Sequence, residues 1–129
     1  MSATPLPHHH GDQSEALLAH MPEMEVFQTV SDAFKLLSDP QRVRIYWLLC
    51  HCEECVINLS AMVGMSSPAV SHHLKLLKAS GLITSRRDGK EVYYTAAKTD
   101  TALSLHHMIE KMISITCPTE AGQSANRKP

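Results

Sequence analysis

The sequence predicts a small, mainly α-helical domain that carries one β-hairpin. The chain has 129 residues, enough for one compact domain with little room for a second, so a multidomain enzyme is excluded. Only 5% of the residues are aromatic. The core must therefore be built from Leu, Ile, Val, Met and Ala, and platforms for stacking a cofactor are few. One Asp-Gly pair, Asp88-Gly89, stands between two short runs of strand-forming residues, the strongest short-range signal for a hairpin.

Residues 1–21 mix Pro, His, Gly and Ser with a short apolar patch at Ala16, Leu17 and Leu18. The patch is too small to bury by itself, so this segment reads as a mobile tail or a frayed helix. In residues 23–37, Val26, Phe27, Val30, Ala33, Phe34 and Leu37 recur at three- and four-residue steps and mark a first amphipathic helix. Ser38-Asp39-Pro40 supplies a cap and an early proline for a second helix. Val43, Tyr46, Trp47, Leu49 and Cys50 continue its apolar face to near His51. Residues 56–63 form a third, short helix, broken by Gly64-Met65. Ser66-Ser67-Pro68 caps a fourth, which runs to about Ser80 with Val70, Leu74, Leu77 and Ala79 spaced for burial before Gly81 ends it. Two short helices joined by a glycine-containing turn make a helix-turn-helix. Residues 82–85 and 91–95 then flank Arg86-Arg87-Asp88-Gly89-Lys90 as a hairpin with a basic tip. A last helix over about residues 99–116 carries Leu103, Met108, Ile109, Met112 and Ile113 until Pro118 and a polar stretch stop it. The expected organisation is a flexible tail at 1–22, a domain at 23–117 and a polar C-terminal tail at 118–129.

Net charge is −1 and the pI about 6.7, values that argue against a nucleic-acid partner until the charge is located. Residues 1–65 hold 8 acids and 3 bases, residues 66–98 hold 2 and 6, and residues 99–129 balance at 3 and 3. The middle region is thus +4, and it coincides with the helix-turn-helix and the hairpin. Together these describe a winged helix domain whose basic part faces DNA. The second helix of the motif is expected to enter the major groove by its N-terminal end, bringing Ser66, Ser67, Ala69, Ser71 and His72 to base edges and phosphates. Lys75 and Lys78 lie further along. Arg86, Arg87 and Lys90 on the wing reach phosphates or a minor groove. His73, on the side of Val70, Leu74 and Leu77, is expected to pack and hydrogen-bond instead of reading bases.

Cys50-His51-Cys52-Glu53-Glu54-Cys55 places three thiols within six residues. Cys52 and Cys55 have the C-x-x-C spacing that lets two sulfurs converge on one ion, and Cys50 offers a third. Thiolates select zinc, cadmium, lead, copper(I) or trivalent arsenic in arsenite, and not calcium or magnesium. Cys117 is a further possible ligand. Three other readings of the thiols stand beside this one: a redox or sulfide switch, a structural zinc site, and a thiol oxidoreductase built on Cys52 and Cys55. The last would need alternating strands and helices, which the pattern lacks.

Leu37-Ser-Asp-Pro-Gln-Arg-Val-Arg-Ile, Ser67-Pro-Ala-Val-Ser-His-His-Leu-Lys-Leu-Leu-Lys-Ala-Ser-Gly-Leu-Ile and Arg87-Asp-Gly-Lys-Glu-Val-Tyr-Tyr resemble the ArsR/SmtB family of winged helix repressors over roughly residues 25–115. The resemblance implies a homodimer joined through the first and last helices. It also implies binding to a palindromic operator and release when an inducer, often a metal ion, fills a sensing site. Cys55-Val-Ile-Asn-Leu is similar to the Cys-Val-Cys-Asp-Leu segment of the family's thiolate sensors, with Ile57 in place of the second cysteine. Cys50 and Cys52, just upstream, are the candidates to compensate. The family's other sensing site takes a carboxylate and histidines from the last helix. Asp100, His106, His107 and Glu110 supply that chemistry at a spacing shorter than the family's, and His8, His9 and His10 add donors in the N-terminal tail. With no apolar run long enough to span a bilayer and no charged-then-apolar start, the expected location is the cytoplasm.

Overall fold

The computed structural model describes residues 6–116. The chain divides into two compact units, Met1–Phe34 and Lys35–Pro129. In the first, α1 (Gln13–Ala19) is a seven-residue helix with nothing buried, where the sequence suggested a tail or a frayed helix. Next comes α2 (Met24–Leu36), whose last two residues open the second unit. Its bounds match the expected stripe, yet Val26, Phe27, Val30 and Phe34 are about half exposed, at 45–55%.

The second unit contains α3 (Pro40–His51), β1 (Glu54–Cys55), α4 (Val56–Val63), α5 (Ser67–Ala79), β2 (Ile83–Asp88), β3 (Glu91–Ala96) and α6 (Asp100–Thr116). The helices α3 and α5 each start where a side chain satisfies free N–H groups of the first turn. The Asp39 carboxylate accepts from the backbone of Gln41 at 2.9 Å and of Arg42 at 3.2 Å, with Pro40 in the first turn. Ser66 Oγ accepts from the backbone of Ala69 at 3.3 Å at the start of α5. Between α4 and α5, Gly64 adopts φ 67° and ψ 36°, a left-handed conformation that a side chain disfavours and that turns the chain within three residues.

The core is made by the inner faces of these helices and the base of the hairpin. Ile45, Tyr46 and Leu49 of α3, Leu59 of α4, and Val70, Leu74 and Leu77 of α5 meet Leu82, Ile83 and Ala102, all 3% exposed or less. The Tyr46 hydroxyl donates to the Ala102 carbonyl at 2.7 Å, tying α3 to α6 through the interior. Ala79, expected inside, is exposed. It lies nine residues beyond Val70, about two and a half turns, and so faces the opposite side of α5.

The hairpin pairs Ile83 with Ala96 and Asp88 with Glu91, leaving Gly89-Lys90 as a two-residue turn. Gly89, at φ 66°, occupies the first central position, where a type II′ turn takes glycine. A third strand that the sequence did not announce, β1, pairs Glu54 with Tyr94 and Cys55 with Tyr93, so the sheet order is β1-β3-β2. The thiol-rich segment thus forms an edge of the wing's own sheet. No helix among the described residues is long and apolar enough to cross a membrane.

Candidate nucleic-acid interface and metal-donor clusters

Ser66, Ser67, Ser71, His72 and Lys75 are exposed at the N-terminal end of α5 and along one flank of it, with Ala69 partly buried between them. Some of these groups have work inside the fold. Ser66 caps the helix, and Ser67 Oγ lies 3.2 Å from Ser60 Oγ of α4. His73 is buried, 8% exposed, and its Nδ1 accepts from Arg42 Nε at 3.2 Å, the packing role its position implied. Burial lowers its pKa, and the nearby Arg42 charge acts in the same direction. Arg42 also donates to the Leu36 carbonyl at 2.7 Å, so one guanidinium joins the last residue of α2 to the middle of α5.

The wing's charges divide into held and open ones. Arg86 Nε and Nη2 donate to the two carboxylate oxygens of Glu53, both at 2.7 Å, and the guanidinium lies 4.9 Å from the centre of the Tyr93 ring. That hydrogen bond holds the Glu53 carboxyl below its ordinary pKa. Lys78 Nζ donates to Ser85 Oγ at 2.6 Å, bracing α5 against β2. Among the described residues, Lys75, Arg87 and Lys90 make no ion pair. The Arg86–Glu53 pair, which sequence spacing could not reveal, fastens the thiol-rich turn to the wing.

Cys50, Cys52 and Cys55 are all free thiols of intermediate exposure. Burial pushes Cys50 up to about 11, with the Glu110 carboxylate adding to the rise. Burial also raises Cys52, whose thiol donates to the Leu48 carbonyl at 3.2 Å. The three cysteines differ in backbone conformation. Cys50 belongs to the last turn of α3, whereas Cys52 (φ −151°, ψ 165°) and Cys55 (φ −91°, ψ 166°) are extended. Among the described residues the three sulfurs do not form a set of donors within 4.8 Å of one another. Cys117 lies outside the described residues. A cleft of about 140 Å³ between α3, β3 and the start of α6 has Cys50 and His106 on its walls.

Histidine and carboxylate donors do converge. His51 Nε2 lies 2.7 Å and His106 Nε2 3.1 Å from Glu110 Oε1, and the two ring nitrogens are 3.3 Å apart. The Trp47 indole N–H donates to the same oxygen at 3.1 Å. Its ring centre lies 4.6 Å from that of His51. Burial alone would raise the Glu110 carboxyl, but hydrogen bonds from His51 and His106 outweigh it and keep the group below its ordinary value. Of the donors expected on the last helix, His106 and Glu110 meet here, while Asp100 and His107 are exposed and take no part in the group. His51 was missed. Its only local signal is the four-residue step from Trp47, because its partners lie more than fifty residues away. A second, fully exposed group, His9, Asp12 and Glu15, belongs to the N-terminal unit.

Residues 39–85 match the model of a family described as bacterial regulatory protein, arsR family. A transcriptional repressor SmtB homolog from Synechocystis is 34% identical over 88 residues, covering 68% of this chain and 67% of that protein. The cadmium resistance transcriptional regulatory protein CadC of Listeria innocua is 43% identical over 67 residues, covering 51% of this chain and 56% of that one. Among solved structures, the homodimeric winged helix-turn-helix DNA-binding domain Mb0332 from Mycobacterium bovis, a possible ArsR-family regulator, superposes with a TM-score of 0.60. It is 26% identical, and the match covers 83% of this chain and 90% of that one. The SmtB and CadC relatives regulate transcription and are not enzymes, and the family match over residues 39–85 takes in α5 and the start of β2. The chain thus belongs to the ArsR family of bacterial regulatory proteins.

Proposed function

We propose that the protein is a transcriptional repressor that binds a double-stranded operator as a homodimer and leaves it when a thiophilic metal ion or metalloid is captured by the thiol-rich turn. The reading head is the exposed N-terminal flank of α5, with Ser66, Ser67, Ala69, Ser71, His72 and Lys75. Arg87 and Lys90 are the wing charges open to phosphate, and Arg86 joins them when it lets go of Glu53. The dimer covers the apolar side chains that one copy leaves in water: Val26, Phe27, Val30 and Phe34 on α2, and Leu103, Met108, Met112 and Ile113 on α6. The homodimeric relative supports that assignment.

The observation that carries the sensing half is the connection between turn and wing. Cys52 and Cys55 bracket Glu53, and Glu53 holds Arg86 of the wing through two 2.7 Å hydrogen bonds. Cys55 also pairs with Tyr93 in the sheet. Drawing the sulfurs of Cys50, Cys52 and Cys55 onto one ion, with Cys117 as a further thiol, moves Glu53 and the β1 edge. The DNA-facing wing then shifts with them. Zinc, cadmium, lead, copper(I) and arsenite are the candidate effectors, and the name of the cadmium-resistance relative favours the soft end of that series. Effector and DNA need favour different conformations by only about 1–3 kcal/mol to change affinity roughly 5–150-fold.

The DNA half is tested by selecting a duplex from a random pool and measuring its affinity across salt concentrations. A saturable, palindromic site whose log Kobs falls linearly with log salt is expected. Salt-insensitive or absent binding contradicts the proposal.

A further inference from the structure

We propose that His51, His106 and Glu110 form a divalent metal site within one protomer, separate from the thiol-rich turn, for a borderline ion of the zinc, cobalt or nickel class. The donor atoms already stand where such an ion needs them. A tetrahedral shell of nitrogen and oxygen ligands at about 2.0–2.1 Å has ligand-to-ligand edges of about 3.3 Å, and the three edges measured here are 2.7, 3.1 and 3.3 Å. Two imidazoles and one carboxylate suit zinc, cobalt and nickel, whereas calcium and magnesium require more oxygen. Three protein ligands leave one position open, and the group is only partly covered, with His51 exposed and His106 and Glu110 intermediate, so an ion can enter from solvent.

An outer partner is in place as well. The Trp47 indole N–H donates to Glu110 Oε1 at 3.1 Å, the kind of contact that fixes a ligating carboxylate and strengthens a site. Hydrogen bonding explains the His51–Glu110 and His106–Glu110 contacts individually. It does not call for two Nε2 atoms 3.3 Å apart on one oxygen, each bringing its own proton. One ion replaces both protons and accepts all three lone pairs. The site pins the C-terminal end of α3 to the middle of α6. It differs from a set of donors drawn from the last helix alone by taking His51 from α3.

The chain has one tryptophan, and it touches the site, so the full-length protein reports its own occupancy. Titration with cobalt(II) is expected to quench Trp47 fluorescence at one equivalent per protomer. It should also give visible d–d bands without a sulfur-to-cobalt charge-transfer band when all four cysteines are changed to Ser. In that background His51→Gln and His106→Gln should each weaken binding by about 100-fold or more. Trp47→Phe, followed by the visible bands, should weaken it by about 10-fold. Substituting His8, His9 and His10 by Ala should leave binding unchanged. Because Cys50 is half-buried, the two histidine variants are also made in the wild-type protein, where zinc binding is followed by competition with a chelating dye. One zinc site per protomer is then expected to disappear while a thiol-dependent site remains. The proposal is overturned if the cysteine-free protein binds no cobalt, if binding survives loss of His51 and His106, or if it follows the N-terminal histidines.

Discussion

The flank of α5 with the wing and the end of α3 with its following turn differ in charge, in donor chemistry and in how their side chains are held. Residues 66–98 carry the basic excess, and Lys75, Arg87 and Lys90 project from them without ionic partners among the described residues. Residues 50–55 carry three thiols, one histidine and two glutamates. There Glu53 is committed to Arg86, and Cys52 to the Leu48 carbonyl, while His51 is committed to Glu110. On the proposed function, the surface that attracts a polyanion keeps its charges open, and the surface that responds to an ion keeps its donors occupied by contacts the ion can replace. Among the described residues, the Glu53–Arg86 pair is the one ion pair between the two regions.

Removing the open charges should have the largest effect. Changing Lys75, Arg87 and Lys90 together to Ala is expected to make the salt dependence of operator binding less steep by about three per protomer, with binding lost near physiological salt. Changing Cys52 and Cys55 to Ser should leave DNA affinity in the absence of metal near the wild-type value. It should abolish the roughly 5–150-fold weakening expected from cadmium or arsenite, while cobalt quenching of Trp47 persists. That pair of outcomes would separate the thiol turn from the His51 cluster.

Tyr46→Phe probes the joint between α3 and α6. It removes a fully buried hydroxyl and its hydrogen bond to the Ala102 carbonyl, which should cost about 1 kcal/mol in urea unfolding at unchanged m value. Glu53→Gln weakens the hold on Arg86. If Arg86 then turns to phosphate, the salt dependence steepens by about one per protomer. An unchanged slope would mean that Arg86 serves the turn alone.

The smallest effect concerns pH. His73 has a folded-state pKa below its ordinary 6.5, so the unfolded chain takes up a proton more readily than the folded one. The stability this group contributes is present above pH 6.5 and is lost as pH falls from there through the lower folded-state pKa. Asp39, Glu53 and Glu110, all held low, lose their contributions only below about 4.5, the ordinary carboxylate range. A decline between pH 7 and 5 that flattens in His73→Gln is therefore expected in chemical denaturation.

What could be read from the sequence follows the range of the interactions involved. The Asp39 and Ser66 caps, the left-handed Gly64 and the hairpin at Gly89 act over a few residues, so the helix-turn-helix and the wing were legible from end to end. The basic flank of α5 followed from helical period alone. β1 was not legible, because two residues carry no alternation and pair only once β3 is present. Nor was the role of Arg86, whose partner Glu53 is 33 residues away. The His51 cluster depends on a separation of 55 residues and on α3 and α6 packing through Tyr46. Residue types suggested His106 and Glu110 as donors, but only the fold supplied the third.

The most direct test of the link between the two regions is titration of the protein–operator complex with cadmium and with arsenite, in the wild type and in a Cys50→Ser, Cys52→Ser, Cys55→Ser variant. At least one of the two is expected to weaken wild-type operator binding by about 5–150-fold and to leave the variant bound. Release of DNA from the variant to the same extent, or no release from the wild type by either, would contradict the thiol-rich turn as the effector site.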